Sequence, residues 1–197
     1  MRLFKVILFV ILVMSNYIFA SKYELVGVSK KGVFDINKTI DFNKVNAVIR
    51  LQNGYYEYYV DGYDNVDQDF LQLEGGKGYW LELKDGVDSY ELNIEGTPIE
   101  LSDIQFNSDL NWNLVALPNE DLAKIVNYLN QFAKIDSIIT TDEYGYYIYY
   151  VVGYDDLDQD FLKVQENKGY WIFSKSKNTD ITPPLPPDFN GTKPSNQ

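Results

Sequence analysis

The chain has 197 residues, 17 of them basic and 29 acidic, a net charge of −12, and neither Cys nor His. That acidity argues against nucleic acid and anionic lipid headgroups as partners, and fits cations, neutral sugars or basic protein surfaces. Without His or Cys there is no Ser-His-Asp or Cys-His mechanism, no disulfide and no His-ligated zinc site.

Residues 1–20 read as a secretory signal peptide. Arg2 and Lys5 form a basic start, residues 6–14 are an unbroken apolar run, and a more polar stretch ends at Ala20. The apolar run is short for a membrane span. Ile18 is bulkier than a cleavage site prefers, so an uncleaved N-terminal anchor is the alternative. With the signal removed, 177 residues remain, 15 basic and 29 acidic, at a net charge of −14. No transmembrane segment follows cleavage, and the product is secreted, periplasmic or at the cell surface.

The first unit spans residues 21–86. Residues 23–28 (YELVGV) have a strand pattern, and residues 30–32 a polar turn. Asp35 can cap a short helix within residues 34–42, with Ile36 and Ile40 as its apolar positions. Residues 45–51 (VNAVIRL) and 55–60 are strands joined by Asn53-Gly54, the strongest short hairpin signal. An acidic loop fills residues 61–69, and residues 79–83 (YWLEL) close the unit. A linker, residues 87–103, alternates Tyr90, Leu92 and Ile94 with polar residues, turns at Gly96-Thr97-Pro98 and alternates again at Ile99 and Leu101. It reads as a hairpin.

The second unit, residues 104–175, repeats this order. Residues 112–117 (WNLVAL) form a strand stopped by Pro118. Asn119 can cap a helix whose stripe is Leu122, Ile125, Val126, Leu129 and Phe132. Strands at 135–141 and 146–152 flank a turn at Tyr144-Gly145. A second acidic loop and a closing strand at 170–173 follow. The Pro-rich tail, residues 176–197, reads as extended and disordered. The expected fold is α+β: two tandem repeats, each a small, mostly antiparallel β-sheet with one helix.

The repeat is explicit. Residues 54–80 align with residues 145–171 at a constant offset of 91, and 18 of the 27 positions are identical. With a period of two, Tyr56, Tyr58 and Val60 share one strand face, unchanged as Tyr147, Tyr149 and Val151. That face is the expected core of each unit. The other face carries Tyr55, Glu57, Tyr59 and Asp61, which become Tyr146, Ile148, Tyr150 and Val152. The exchange suggests water on this face in the first copy and burial in the second. Tyr55, Tyr59, Tyr146 and Tyr150 could form an aromatic platform for sugar rings or extended chains. They could equally be good strand formers on a half-buried sheet. Trp80 and Trp171 follow Gly-Tyr in both copies and read as packing residues.

Both copies contain Gly-Tyr-Asp-x-x-Asp-Gln-Asp-Phe-Leu. The retained carboxylates Asp64, Asp67 and Asp69, matched by Asp155, Asp158 and Asp160, could hold calcium, which favours clustered oxygen ligands. The competing reading is that Asp67 and Asp158 cap a short helix containing Phe70-Leu71 and Phe161-Leu162. A glycosidase needs a particular carboxylate pair flanking a cleft, and nothing singles one out.

The opening Trp112-Asn113-Leu114-Val115-Ala116-Leu117-Pro118 and the closing Lys168-Gly169-Tyr170-Trp171-Ile172 and Lys77-Gly78-Tyr79-Trp80-Leu81 carry a resemblance. They resemble a repeat module of secreted and surface bacterial proteins, which opens on Gly-Trp-Asn-Leu-x-x-x-Pro and closes on Gly-x-Gly-Tyr-Trp-Val. The first copy lacks the opening Trp and Pro, and Asn111 stands where the family has Gly. The resemblance implies accessory repeats with no assigned activity and no catalytic residue to carry over. The expected function is therefore an exported, non-catalytic binding or scaffolding protein whose partner is a protein or a glycan. A calcium-supported carbohydrate-binding protein and a small secreted hydrolase with Asp/Glu chemistry are the alternatives.

Overall fold

Strand alternation decides how this chain packs. A computed structural model describes residues 23–174 and Pro183; the expected signal peptide and, Pro183 apart, the Pro-rich tail lie outside the described residues. Among the described residues the fold is sheet-rich and mostly antiparallel, with two α-helices.

The strands are β1 (Tyr23–Gly27), β2 (Val33–Asp35), β3 (Val45–Gln52), β4 (Tyr55–Val60), β5 (Gln72–Glu74) and β6 (Gly78–Leu83), then β7 (Trp112–Ala116), β8 (Ile135–Thr141), β9 (Tyr147–Val151) and β10 (Gly169–Ser174). One four-stranded sheet runs β1-β6-β3-β4, the other β7-β10-β8-β9, and β2 pairs with β5 alone. Leu25 faces Trp80 in the first sheet, and Leu114 faces Trp171 in the second. The β3–β4 turn is Asn53-Gly54, at φ 52 and 84. Positive φ at both positions is what a tight hairpin following the sheet twist requires, and Asn-Gly tolerates it. Asp35 caps α1 (Ile36–Thr39) as expected, accepting from the Asn37 amide at 2.9 Å.

Each sheet buries both faces. Tyr79, Leu81 and Leu83 of β6 point into a core with Ile36, Phe70, Leu92 and Ile94. Tyr170 and Ile172 of β10 point into a second core under α2 (Leu122–Leu129), with Ile104 and Val164. The opposite faces meet each other. Leu25, Ala47, Ile49, Tyr58, Val60 and Trp80 pack against Leu114, Ile139 and Trp171. The unchanged tyrosine face is therefore the layer between the sheets, not a separate core for each copy. An amphipathic period shows that a strand has two faces, not what covers each.

The seam is reciprocal. The Gly27 amide donates to the Asn167 carbonyl at 2.9 Å, and the Ala116 amide donates to the Gly76 carbonyl at 3.0 Å. Val26 bridges Lys168, and Val115 bridges Lys77. A Cβ on Gly169 would sit 2.7 Å from the Val26 carbonyl oxygen, and one on Gly78 would sit 2.9 Å from Leu114 Cδ1. The glycine before each Tyr-Trp pair thus lets the other half come close. Ion pairs add to the seam at Lys168–Glu24 and Lys30–Glu166.

Three local expectations are corrected. The linker is not a hairpin: Leu92 and Ile94 lie in the first core, while the Lys31 amide donates to Thr97 and the Ile99 amide to Ser29. The turn and second arm bond to the first half, and the Leu92 carbonyl of the first arm accepts from the Asn167 side chain of the second half at 2.8 Å. The second helix starts after Asp121 and stops at Leu129, leaving Phe132 exposed; the Asn130 side chain turns the chain by accepting from the Ile135 amide. The second face of β4 is wet only at its ends, Tyr55 and Asp61, and is covered between them. Arg50 pairs with Glu57 and Glu74 there, and Tyr59 is 4% exposed. In the second half the cross-strand pair Arg50–Glu57 is replaced by Thr140–Ile148, so cation and carboxylate leave together.

Two expectations about stability follow from the seam and its tyrosines. Gly169→Ala should destabilise by about 1–3 kcal/mol, because its methyl group meets backbone. Gly78→Ala should cost a similar amount, since its methyl group meets the buried Leu114 side chain and the Val115 backbone nitrogen at 3.0 Å; urea denaturation checks both. Burial pushes the Tyr58, Tyr147 and Tyr170 hydroxyls up to about 12. Unfolded tyrosines ionise near pH ~10, so above that the unfolded chain releases protons the folded chain keeps. Stability should be full below that pH and fall as pH rises towards the folded values. The part of the tyrosinate absorbance that comes from these buried rings should then rise in step with unfolding.

Candidate functional site

The acidic loops sit where each sheet would otherwise be open. β4 and β9 are edge strands, and an edge presents unpaired amides and carbonyls that invite another strand. The Gln-Asp pair of each loop closes that edge. Asp69 Oδ2 accepts from the Tyr58 amide at 2.9 Å, while the Asp69 amide donates to the Tyr58 carbonyl at 3.1 Å. Gln68 accepts from the Val60 amide at 2.8 Å and donates to the Val60 carbonyl at 2.8 Å. It also donates to the Tyr63 carbonyl at 3.1 Å. Every bond recurs in the second half. Asp160 pairs with Tyr149 at 2.8 and 3.1 Å, and Gln159 pairs with Val151 at 2.7 and 2.8 Å and reaches Tyr154 at 3.1 Å.

The identical Asp-Gln-Asp stretch therefore acts as a strand surrogate, with side chains supplying the bonds a neighbouring strand would make. The expected helix through Phe70-Leu71 does not form. The turns are 3-10, at Asn65–Asp67 and Asp156–Asp158, and Asp64 and Asp155 precede them without a side-chain cap bond. Asp67 and Asp158 end those turns, and their amides bond the Asp64 and Asp155 carbonyls at 2.9 Å each. Phe70 turns into the first core under the Arg50 guanidinium, 4.4 Å from the ring centre. Among the described residues, no group of three or more carboxylates is placed to hold a metal ion.

The four candidate platform tyrosines are not brought together as a row. Tyr55, at the start of β4, and Tyr146, just before β9, are 77% and 66% exposed. Tyr59 is in the core, donating its hydroxyl to Asn37 Oδ1 at 2.6 Å. Tyr150 is half-buried against Phe161. Tyr79 and Tyr170 act as internal posts, accepting from the Glu74 and Gln165 amides at 2.8 and 2.7 Å. A groove of about 350 Å³ runs between Gln52 and the segment before β7, lined by Lys77, Gln105 and Trp112. Its ammonium is engaged by Gln52 and Glu74, and Trp112 packs on Trp171 and Phe173.

Part of what remains open to solvent is repeated, while Val33, Phe132 and Tyr144 are exposed in one half only. Tyr63 and Tyr154, Val66 and Leu157, and Leu71 and Leu162 occupy equivalent positions and are all exposed. Sequence reasoning singled out the carboxylates and missed both the glutamines and the aliphatic tips. Their signal was the retention of Gln68 as Gln159, and of an aliphatic residue at Val66 and Leu157, inside otherwise polar loops. Compared with known proteins, the chain matches no protein-family model, no curated protein and no solved structure.

Substitution should separate an acceptor role from a charge role. Asp69→Ala should lose about 1–2 kcal/mol by leaving the part-buried Tyr58 amide unpaired, and Asp160→Ala less, because its bond to Tyr149 is exposed and water can replace it. Asp69→Asn and Asp160→Asn keep an acceptor oxygen and should stay close to the parent protein. Calcium should leave the melting temperature unchanged, whereas a metal bound only by the folded state would raise it.

Proposed function

We propose that this chain is an exported, non-catalytic binding or scaffolding protein of the cell surface or periplasm, built from two tandem α+β repeats. The single observation that carries this reading is the repeated exposure of Tyr55/Tyr146, Tyr63/Tyr154 and Val66/Leu157, while the closing strands and their tryptophans are buried. A chain that encloses its sheet faces and closes its edges gains no stability from leaving the same large side chains outside in both halves. A contact surface is what such positions serve.

The basic-apolar start at residues 1–20 supports export, and the resemblance of the Gly-Tyr-Trp strands to accessory repeats supports a role without chemistry. The reading needs neither His nor Cys, and the chain has neither. A glycan partner is the second reading, favoured by exposed Tyr55 and Tyr146, whose rings are open to stacking.

The test is co-sedimentation of the purified chain with the envelope fraction of its own source cells. Saturable association is expected. Competition by soluble polysaccharide from that envelope, together with loss in Tyr55→Ala/Tyr146→Ala, would select the glycan. Failure of the parent chain to associate at any concentration would sink the binding role.

A further inference from the structure

The tips of the acidic loops carry the most exposed of the repeated apolar side chains, which neither packing nor edge closure explains. Val66 is 90% and Leu157 98% exposed. Each sits inside a 3-10 turn that the neighbouring glutamine ties to the edge strand. These loops are therefore preformed, and each holds an aliphatic side chain out in water. Tyr63 and Tyr154 stand exposed in the same loops. The flanking charges are all carboxylates: Asp64 and Asp67 on one side, Asp155, Asp156 and Asp158 on the other.

Charge selects the occupant. A second copy of this chain, at a net charge of −12, would meet these loops with like charge. An aliphatic tip offers no ring face for a sugar to stack on. An apolar knob among carboxylates complements an apolar socket rimmed by Lys and Arg. The seam places two such knobs on one body, so a partner displaying repeated sockets could be held at two points.

We propose that the two acidic loops are equivalent docking knobs, in which Val66 and Leu157 each insert into an apolar socket of a cationic protein. This rests on the binding role argued above and names its partner class.

The probe is a synthetic amphipathic peptide with leucines along one helical face and lysines on the rest, titrated calorimetrically into the purified full chain. Two peptides per chain are expected. Val66→Asp or Leu157→Asp should leave one, and the double variant none, although each change makes the chain more acidic. An all-lysine peptide of equal charge should bind about tenfold more weakly or worse, a difference of about 1.4 kcal/mol. Val66→Ser/Leu157→Ser, which keeps the charge, should lose binding as well; melting curves of all variants confirm the fold.

Unchanged or tighter binding by the double Asp variant would show that charge alone holds the peptide, and would overturn the proposal. So would failure of the amphipathic peptide to bind the parent chain. If the parent and the double variant co-sediment equally with envelopes, the knobs are refuted while the broader binding role stands.

Discussion

Neither four-stranded sheet can satisfy both of its faces alone. One face of each is covered locally, by a helix and neighbouring loops. The other has no local cover and carries Trp80 or Trp171 with flanking tyrosines. Burying that second face requires the other sheet, and the remaining features follow. The glycines before Tyr-Trp must be small because backbones meet there. The linker must run as a strap because its apolar residues are claimed by the cores. The large buried rings make this layer dense, and dense layers tolerate added volume poorly.

Stacking the faces leaves the edges, and these are closed by two different devices. The first edge strand of each half, β1 or β7, donates a backbone amide to the turn of the opposite half. The outer strands, β4 and β9, are closed from within by glutamine and aspartate side chains. The second device is unusual in using side chains to imitate a strand, and it fixes the loop beyond. Edge closure and loop presentation are thus the work of the same two residues.

The sequence made much of this legible, and its blind spots have physical causes. The hairpin at Asn53-Gly54 was readable because only a few residues accept positive φ twice in succession. The α2 stripe was readable through Leu129, yet Phe132 continued the pattern by spacing after Asn130 had already ended the helix. The layer between the sheets was half-legible: its residues were recognisable as an unchanged face, but a period of two is blind to contacts between distant segments. Gln68 and Gln159 went unnoticed because their role exists only once β4 and β9 are known to be edges. The carboxylates fit a helix cap or a metal site by spacing, yet Asp69 and Asp160 serve as hydrogen-bond acceptors for an edge strand.

The reciprocal seam is the kind of contact two identical subunits make in a symmetric dimer. Here both partners travel on one polypeptide, so their pairing does not weaken on dilution, as a dimer's would. Covalent linkage also removes the demand that both sides be alike. Identical subunits must carry every substitution twice, whereas this chain keeps Arg50 opposite Glu57 in one half and Thr140 opposite Ile148 in the other. Near-symmetry in the backbone thus coexists with a polar flank and an apolar one, which gives a body of almost equal halves a distinguishable front and back.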